Sequence, residues 1–235
     1  HILDAPYKTL GLHYPTDVEC SVGSVYQQAW SQNFIPEGCP PSSIVTLHFN
    51  KTDKNDSKIE LVWMDGGLRP SHPEDIPADD FLGEKNSTNG VLMIGEKGVI
   101  SCGVYALTPK LYRKGEKTIE FDTGGESSLD HIHHMEWING IKAGYMSDTY
   151  KKITAPFEYA GPFTETVLMG NLAIRSYMSM GKEKPKYFED KYHTSEFGKF
   201  VGRKKLLWDG DNMKITNFDE ANKFVGRARR PGWNF

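Results

Sequence analysis

The sequence predicts an α+β fold, an open and mainly antiparallel β-sheet with helices packed on one face. In the first half of the chain, apolar and polar residues alternate over several short segments, as in half-buried strands. Turns of hairpin length separate several of these segments, so we expect consecutive strands to run antiparallel. Two segments with helical periodicity then follow one another instead of alternating with strands. That order favours α+β over a doubly wound parallel sheet.

The first hundred residues predict one helix followed by strands. Apolar residues at helical spacing predict a helix over residues 1–10, and Gly11 follows where a helix end favours a left-handed residue. The predicted strands cover residues 16–25, 43–49, 58–63, 90–94 and 98–101, with a further candidate at 103–107. This count suggests a sheet of five or six strands. Residues 70–90 form a long proline-rich loop, which is a candidate wall of a binding site.

Two helices are predicted in the second half of the chain. Apolar residues at intervals of three form a stripe along a helix over residues 127–143. The stripe consists of Leu129, Ile132, Met135, Ile138 and Ile141. A second helix is expected over residues 163–178, with its start at Pro162 or Thr164.

The C-terminal tail predicts one more hairpin and a last helix. The hairpin covers residues 205–216 and turns at Asp209-Gly210. The helix lies near residues 219–227, with Asn217 or Asp219 as its N-terminal cap.

Charge and composition exclude several partners. The chain has 28 Lys+Arg against 31 Asp+Glu, so it lacks the basic excess that nucleic acids and anionic membranes attract. Its apolar runs fall short of the ~20 residues that a membrane span needs. Cys20, Cys39 and Cys102 are too few and too irregularly spaced for a disulfide framework or a zinc knuckle. We therefore expect neither nucleic acid nor membrane as a partner.

Motifs for cofactor binding are missing from the sequence. It contains neither G-x-G-x-x-G after a strand nor G-x-x-x-x-G-K-[ST], so we expect these residues to bind no dinucleotide. The densest titratable segment contains His131, His133 and His134. A structural metal needs about four converging ligands, and His133 points away from the other two on a helix. A solvated helix face and contact with a substrate are the readings that remain.

Four stretches occur in a distinctive order. They are HILDAP at 1–6, WMDGGLRP at 63–70, FTETVLMGNLAIR at 163–175, and LLWD, ITN and EAN between 206 and 222. Together they resemble the C-terminal domain of the Gfo/Idh/MocA oxidoreductases, in the version common in Bacteroidetes. The resemblance spans nearly the whole chain.

The resemblance implies a protein of two domains. An N-terminal Rossmann domain would bind NAD or NADP, and a C-terminal α+β domain would shape the substrate pocket and form a homo-oligomer, dimer or tetramer, through its sheet. We therefore expect residues 1–235 to be a single C-terminal domain whose Rossmann domain lies upstream of His1. A start inside a predicted helix agrees with such a cut. Alone, this domain would bind no cofactor and be inactive.

The resemblance also implies site residues. His1 matches the histidine of a D-x-x-x-H element, which makes it the candidate catalytic residue. A base that titrates near neutral pH suits the loss of a hydroxyl proton while hydride leaves the carbon. The substrate-binding candidates are Trp63, Asp65, Arg69, His131 and His134. Each candidate also has a structural explanation: Trp63 packs on the sheet, Asp65 forms a turn, and the histidines are solvated.

The expected activity is NAD(P)-dependent oxidation of a sugar, a sugar derivative or a polyol. Two alternatives stay open. One is an NAD-assisted glycoside hydrolase of the same superfamily, and the other is an oligomerisation or scaffold domain without catalysis. Relatives are cytoplasmic or exported to the periplasm, so the resemblance leaves the compartment open.

Overall fold

The structure, a computed structural model of the 235-residue chain, has an α+β fold, as predicted. It describes residues 1–28, 31–33, 38–84, 89–123, 130–179, 181, 200–226 and 229–233. The chain divides into two compact units, each made of two separate segments. Unit 1 comprises His1–Gly11 and Ser71–Glu165, and unit 2 comprises Leu12–Pro70 and Thr166–Phe235.

Helices and strands are grouped along the described chain: one helix, then a run of strands, then two helices and a last pair of strands. The helices are α1 (Asp4–Thr9), α2 (Asp130–Ala143) and α3 (Phe157–Tyr177). The strands are β1 (Asp17–Val22), β2 (Val25–Gln28), β3 (Ser31–Asn33), β4 (Ser43–Phe49), β5 (Ile59–Met64), β6 (Val91–Gly95), β7 (Gly98–Cys102), β8 (Lys110–Tyr112), β9 (Ile119–Glu120), β10 (Leu206–Asp209) and β11 (Lys214–Ile215). In the described residues, 3₁₀ turns cover Tyr150–Lys152 and Asp219–Phe224, and a tight turn with left-handed backbone covers Val104–Ala106.

Unit 2 contains a five-stranded antiparallel sheet in the order β11-β10-β1-β4-β5. The predicted hairpin of β4 and β5 is present, and β4 has the predicted bounds. Its buried side chains are Ser43, Val45, Leu47 and Phe49. As an apolar residue of this alternating segment, Ile44 was expected beside Leu47 and Phe49 on the core side, but it lies on the other face because the side-chain period of a strand is two. The second half of α3 packs on this sheet, where Gly170 approaches Val45.

Unit 1 contains a four-stranded antiparallel sheet in the order β6-β7-β8-β9. Its core includes Ile76, Val99 and Tyr112. The predicted strand at 103–107 is wrong, because Val104–Ala106 form a tight turn with left-handed backbone at Tyr105 and Ala106, and the next strand begins at Lys110. The expected grouping of five or six strands in one sheet therefore differs from the observed one. The described residues form sheets of five and four strands and the separate hairpin β2–β3.

The two long helices differ from the predictions in detail. Residues 127–129 lie outside the described part of the chain, and α2 begins at Asp130. Its predicted apolar stripe is not the packed side, since Ile132, Ile138 and Ile141 are exposed. Gly140 instead faces the side chain of Ile153.

Helix α3 starts five residues before Pro162, so the predicted start at Pro162 or Thr164 is wrong. A proline in a helix removes one backbone hydrogen bond. Packing of Tyr159 and Phe163 against the buried ring of Tyr7 stabilises these first turns nonetheless.

The predicted C-terminal hairpin is confirmed as β10 and β11. The last helix is a 3₁₀ turn, and its N-cap residue, Phe218, makes no side-chain cap. The cap predicted at Asn217 or Asp219 is therefore wrong. The Asn217 side chain accepts a hydrogen bond from Leu207 N–H and donates one to the Lys205 carbonyl. Within the described residues, no helix combines the length and the apolar character that crossing a bilayer requires.

Candidate functional site

His1 lies directly before α1 in unit 1, and its ring contacts the ring of Tyr105 at a centroid distance of 4.7 Å. Two contacts hold helix α1 in unit 1. Tyr7 is 1% exposed, and the Asp4 carboxylate accepts a hydrogen bond from the Tyr159 hydroxyl. Burial and this carboxylate raise the pKa of Tyr159. The segment that carries His1 is therefore anchored by buried contacts one helical turn away.

Tyr105 belongs to a strained segment that the sequence analysis missed. Tyr105, Ala106 and Thr108 have φ angles of 59°, 58° and 46°, in the left-handed region that non-glycine residues rarely adopt. Such strain persists only where the surroundings enforce it, and it is concentrated at functional sites. Apolar letters at 104–107 suggested a strand, although Gly103 and Pro109 on either side were turn signals.

Hydrogen bonds hold the strained segment in place. Gly103 N–H donates to the Leu107 carbonyl at 2.9 Å, and Leu107 N–H donates to the Val104 carbonyl at 3.2 Å. The Glu84 carboxylate accepts from Val104 N–H at 3.0 Å. The Tyr105 ring is 63% exposed as a result. His1 and Tyr105 thus form an exposed pair of a potential proton acceptor and an aromatic hydroxyl, which we call the His1–Tyr105 pair.

Asp65, Trp63 and Arg69 lie in unit 2. The Asp65 carboxylate accepts from Ser43 N–H at 2.6 Å and from the Ser43 hydroxyl at 2.8 Å. Both of its oxygens are thus engaged in joining the end of β5 to the start of β4. Trp63 stands opposite Val45 on the edge strand β5 and is partly exposed, and Arg69 is exposed in the following turn. Their contact with a substrate stays a prediction.

His131 and His134 lie on α2 in unit 1, with exposed side chains. His133 is exposed as well, and its Nδ1 is 3.3 Å from Thr154 Oγ1. The Thr154 hydroxyl donates to the Glu136 carboxylate at 3.0 Å. In the part of the chain that the structure describes, no three His, Cys, Asp or Glu side chains converge as metal ligands.

The long loop after Pro70 is attached to the unit 1 sheet by a polar cluster. The Asp80 carboxylate accepts from the Tyr112 hydroxyl at 2.8 Å and from Lys110 Nζ at 3.1 Å. Burial raises the pKa of Asp80, but these hydrogen bonds and the lysine charge outweigh it and leave the pKa below its usual value. Burial and the same carboxylate raise the pKa of Tyr112.

This loop forms one wall of a cleft of about 200 Å³ in unit 1. Glu74 and Asp75 line it from the loop, and Arg113 and Lys114 line it from the residues after β8. Buried Tyr112 also lines it. Acidic and basic side chains are mixed in the cleft and define no ligand charge, so the role of the loop as the wall of a binding site stays a prediction.

A second charged network, also missed by the sequence analysis, crosses the sheet of unit 2. Asp17 Oδ1 lies 2.5 Å from His48 Nδ1, and His48 Nε2 lies 3.4 Å from Glu60 Oε2. Lys205 Nζ lies 3.5 Å from Asp17. Burial raises the pKa of Asp17, yet hydrogen bonds from His48 and Thr16 and the nearby charges lower it overall. Cross-strand register, which places Asp17, His48 and Glu60 side by side, creates this network.

The chain was compared with family models and with curated proteins. No family model matches the chain, and no curated protein matches it significantly.

Proposed function

We propose that this chain is the substrate-binding domain of an NAD(P)-dependent oxidoreductase that acts on a sugar, a sugar derivative or a polyol. The observation that carries the proposal is the set of four ordered stretches that resembles the Gfo/Idh/MocA C-terminal domain. The α+β fold agrees with it. So does the position of His1, which is exposed and lies against an exposed tyrosine held by strained backbone.

The His1–Tyr105 pair would act on the substrate hydroxyl. Oxidation of a secondary alcohol removes a hydride from carbon and a proton from oxygen, and leaves a ketone. His1 would accept the proton as a general base. Tyr105 would orient the imidazole through ring contact and present its hydroxyl and ring face to the sugar.

The cofactor would be held outside this chain. The sequence contains no glycine-rich dinucleotide fingerprint, and the resemblance implies that NAD or NADP would be bound by a Rossmann domain of the parent protein. When bound, the nicotinamide would accept the hydride. Trp63, Arg69, His131 and His134 are further candidates for contact with the carbohydrate.

A second copy of the chain is the proposed macromolecular partner, as dimer or tetramer. The face of the unit 2 sheet that carries His48 also carries Val62 and Leu207, both exposed. An exposed face with apolar side chains and a charged network suits a self-complementary interface. Native mass spectrometry would measure this, and a strictly monomeric protein would contradict the assembly.

The test uses the full-length parent protein with NAD(P) and a panel of sugars and polyols. We expect net NAD(P)H formation, and His1→Gln should lower kcat by about 10²–10⁴-fold. Tyr105→Ala should also lower kcat/KM, since the imidazole loses its neighbouring ring. His72→Gln, at an exposed histidine of the same unit, is the matched control and should leave activity unchanged.

Product analysis separates the alternatives. Release of a free aglycone without net NAD(P)H would favour the NAD-assisted glycoside hydrolase. Failure of the full-length protein to bind NAD(P), measured by nicotinamide fluorescence, would overturn both enzymatic readings and favour a scaffold domain. Full activity in His1→Gln would remove His1 from the mechanism while leaving the family proposal standing.

A further inference from the structure

A carboxylate flanked by two tyrosines lies in unit 1 and involves none of the residues proposed to act on the substrate. Glu158 is in the first turn of α3. The Tyr150 hydroxyl lies 3.1 Å and 2.9 Å from its two oxygens, and the Tyr145 hydroxyl lies 3.3 Å from Oε1. The two rings are 5.0 Å apart with an interplanar angle of 66°. They therefore form a wedge beside one carboxylate.

The wedge is open to solvent. Tyr145 is 75% exposed and Phe157, next to Glu158, is 81% exposed. The turn that presents Tyr145 has Gly144 and Met146 in the left-handed region, with φ angles of 92° and 63°. The left-handed conformation of Met146 is strained, and such strain persists only where the surrounding structure holds it. We infer that the surrounding structure also holds Tyr145 in its outward position.

The carboxylate and the two ring faces of the wedge all favour a positively charged ligand. Glu158 has no ion pair with a lysine or arginine among the residues that the structure describes. Its own backbone N–H and the tyrosine hydroxyls hold the pKa of Glu158 below its usual range, so the carboxylate is ionised at neutral pH. Both hydroxyls already donate to the carboxylate, which leaves the ring faces and the negative charge for a ligand. Aromatic faces attract weakly hydrated organic cations in this way.

We propose that Tyr145, Tyr150 and Glu158 form a binding site for an organic ammonium cation, of the trimethylammonium type. The rings would contact the methyl groups, and the carboxylate would supply the opposite charge. Inorganic cations are too strongly hydrated to gain from ring contact. A neutral molecule of the same shape would gain only the apolar contact. The site is independent of the proposed oxidoreductase function.

The test is a titration of the folded chain with tetramethylammonium chloride at constant chloride concentration, followed by NMR of the tyrosine ring signals. We expect saturable shifts at Tyr145 and Tyr150, and none with sodium chloride or with tert-butanol as the neutral probe. Tyr145→Ala should abolish saturation, and Glu158→Gln should weaken binding by at least about 3-fold. Tyr26→Ala, at an exposed tyrosine of unit 2, is the matched control and should bind as the wild type does.

Three results would overturn the site. They are a linear response up to about 0.1 M probe, equal shifts with tert-butanol, and unchanged affinity in folded Tyr145→Ala. Since Tyr145 is mostly exposed, that variant should keep its fold, which far-UV circular dichroism checks. If Glu158→Gln fails to fold, the preference of the wild type for the cation over tert-butanol tests whether charge contributes to binding.

Discussion

In unit 2, Asp17 takes part both in the pairing of strands and in a network of charged side chains. It pairs across the sheet with His48 on one side and with Leu207 on the other. The same carboxylate lies near His48 Nδ1 and near the Lys205 ammonium. A charged hydrogen bond in a half-buried position contributes more than an exposed ion pair. Asp17 should therefore be the most important member of its network for stability.

We expect Asp17→Asn to lower the free energy of unfolding by about 1–3 kcal/mol near pH 6. The folded-state pKa of Asp17 is depressed below 3.8. Its contribution to stability is therefore fully present above that value and is lost as pH falls through the folded pKa. Urea denaturation of the two proteins between pH 6 and pH 3 should show the difference shrinking at the acid end.

Glu60→Gln is the control for this network, because Glu60 is mostly exposed and its contact with His48 is long. It should change stability by no more than about 0.5 kcal/mol. If the cost of Asp17→Asn stayed constant down to pH 3, the ionised carboxylate would not be the source of the stability.

At the scale of elements, periodicity predicted the strands better than the packing of the helices. Alternation found the bounds of β4, because one buried face forces a period of two, although Ile44 lies on the other face than predicted. The apolar stripe did not predict the packed side of α2, because the helix packs at Gly140 against Ile153, while exposed hydrogen bonds connect His133 and Glu136 with Thr154. A glycine that lets a neighbour approach leaves no apolar signal in the sequence.

Two glycines in helices should therefore respond oppositely to alanine. At Gly140 a Cβ would lie 2.3 Å from Ile153 Cδ1, so Ile153 must move. We expect Gly140→Ala to destabilise by about 1–3 kcal/mol. At Gly170 a Cβ would make ordinary contact with Val45 at 3.8 Å. Gly170→Ala should stabilise by about 0.5–1 kcal/mol, the usual gain for alanine over glycine inside a helix.

Urea denaturation measures both variants, and Gly170→Ala serves as the matched control for the change in helix propensity. Equal stabilisation of the two would mean that α2 does not depend on close contact at Gly140.

At the scale of the whole molecule, the pairing of strands from distant segments could not be predicted from the sequence. Strand β1 pairs with β10, which comes from the far end of the chain. Such pairing depends on complementary surfaces, and periodicity carries no information about it. The same holds for the candidate site. The resemblance suggested His1, but the left-handed backbone at Tyr105 is held partly by the hydrogen bond from the preceding Val104 N–H to the distant Glu84 carboxylate.

The first eleven residues illustrate this dependence on distant segments, because they complete a unit whose remainder begins at Ser71. Tyr7 fills the core there, against Tyr159 and Phe163. We expect Tyr7→Ala to destabilise unit 1 by about 3–5 kcal/mol, the usual cost of removing a buried aromatic ring. Amide hydrogen exchange in β7 and β8 should accelerate accordingly. Thr9→Ala, at an exposed position of the same helix, should change protection by no more than about 0.5 kcal/mol. Unchanged exchange in Tyr7→Ala would show that α1 is not part of the cooperative core of unit 1.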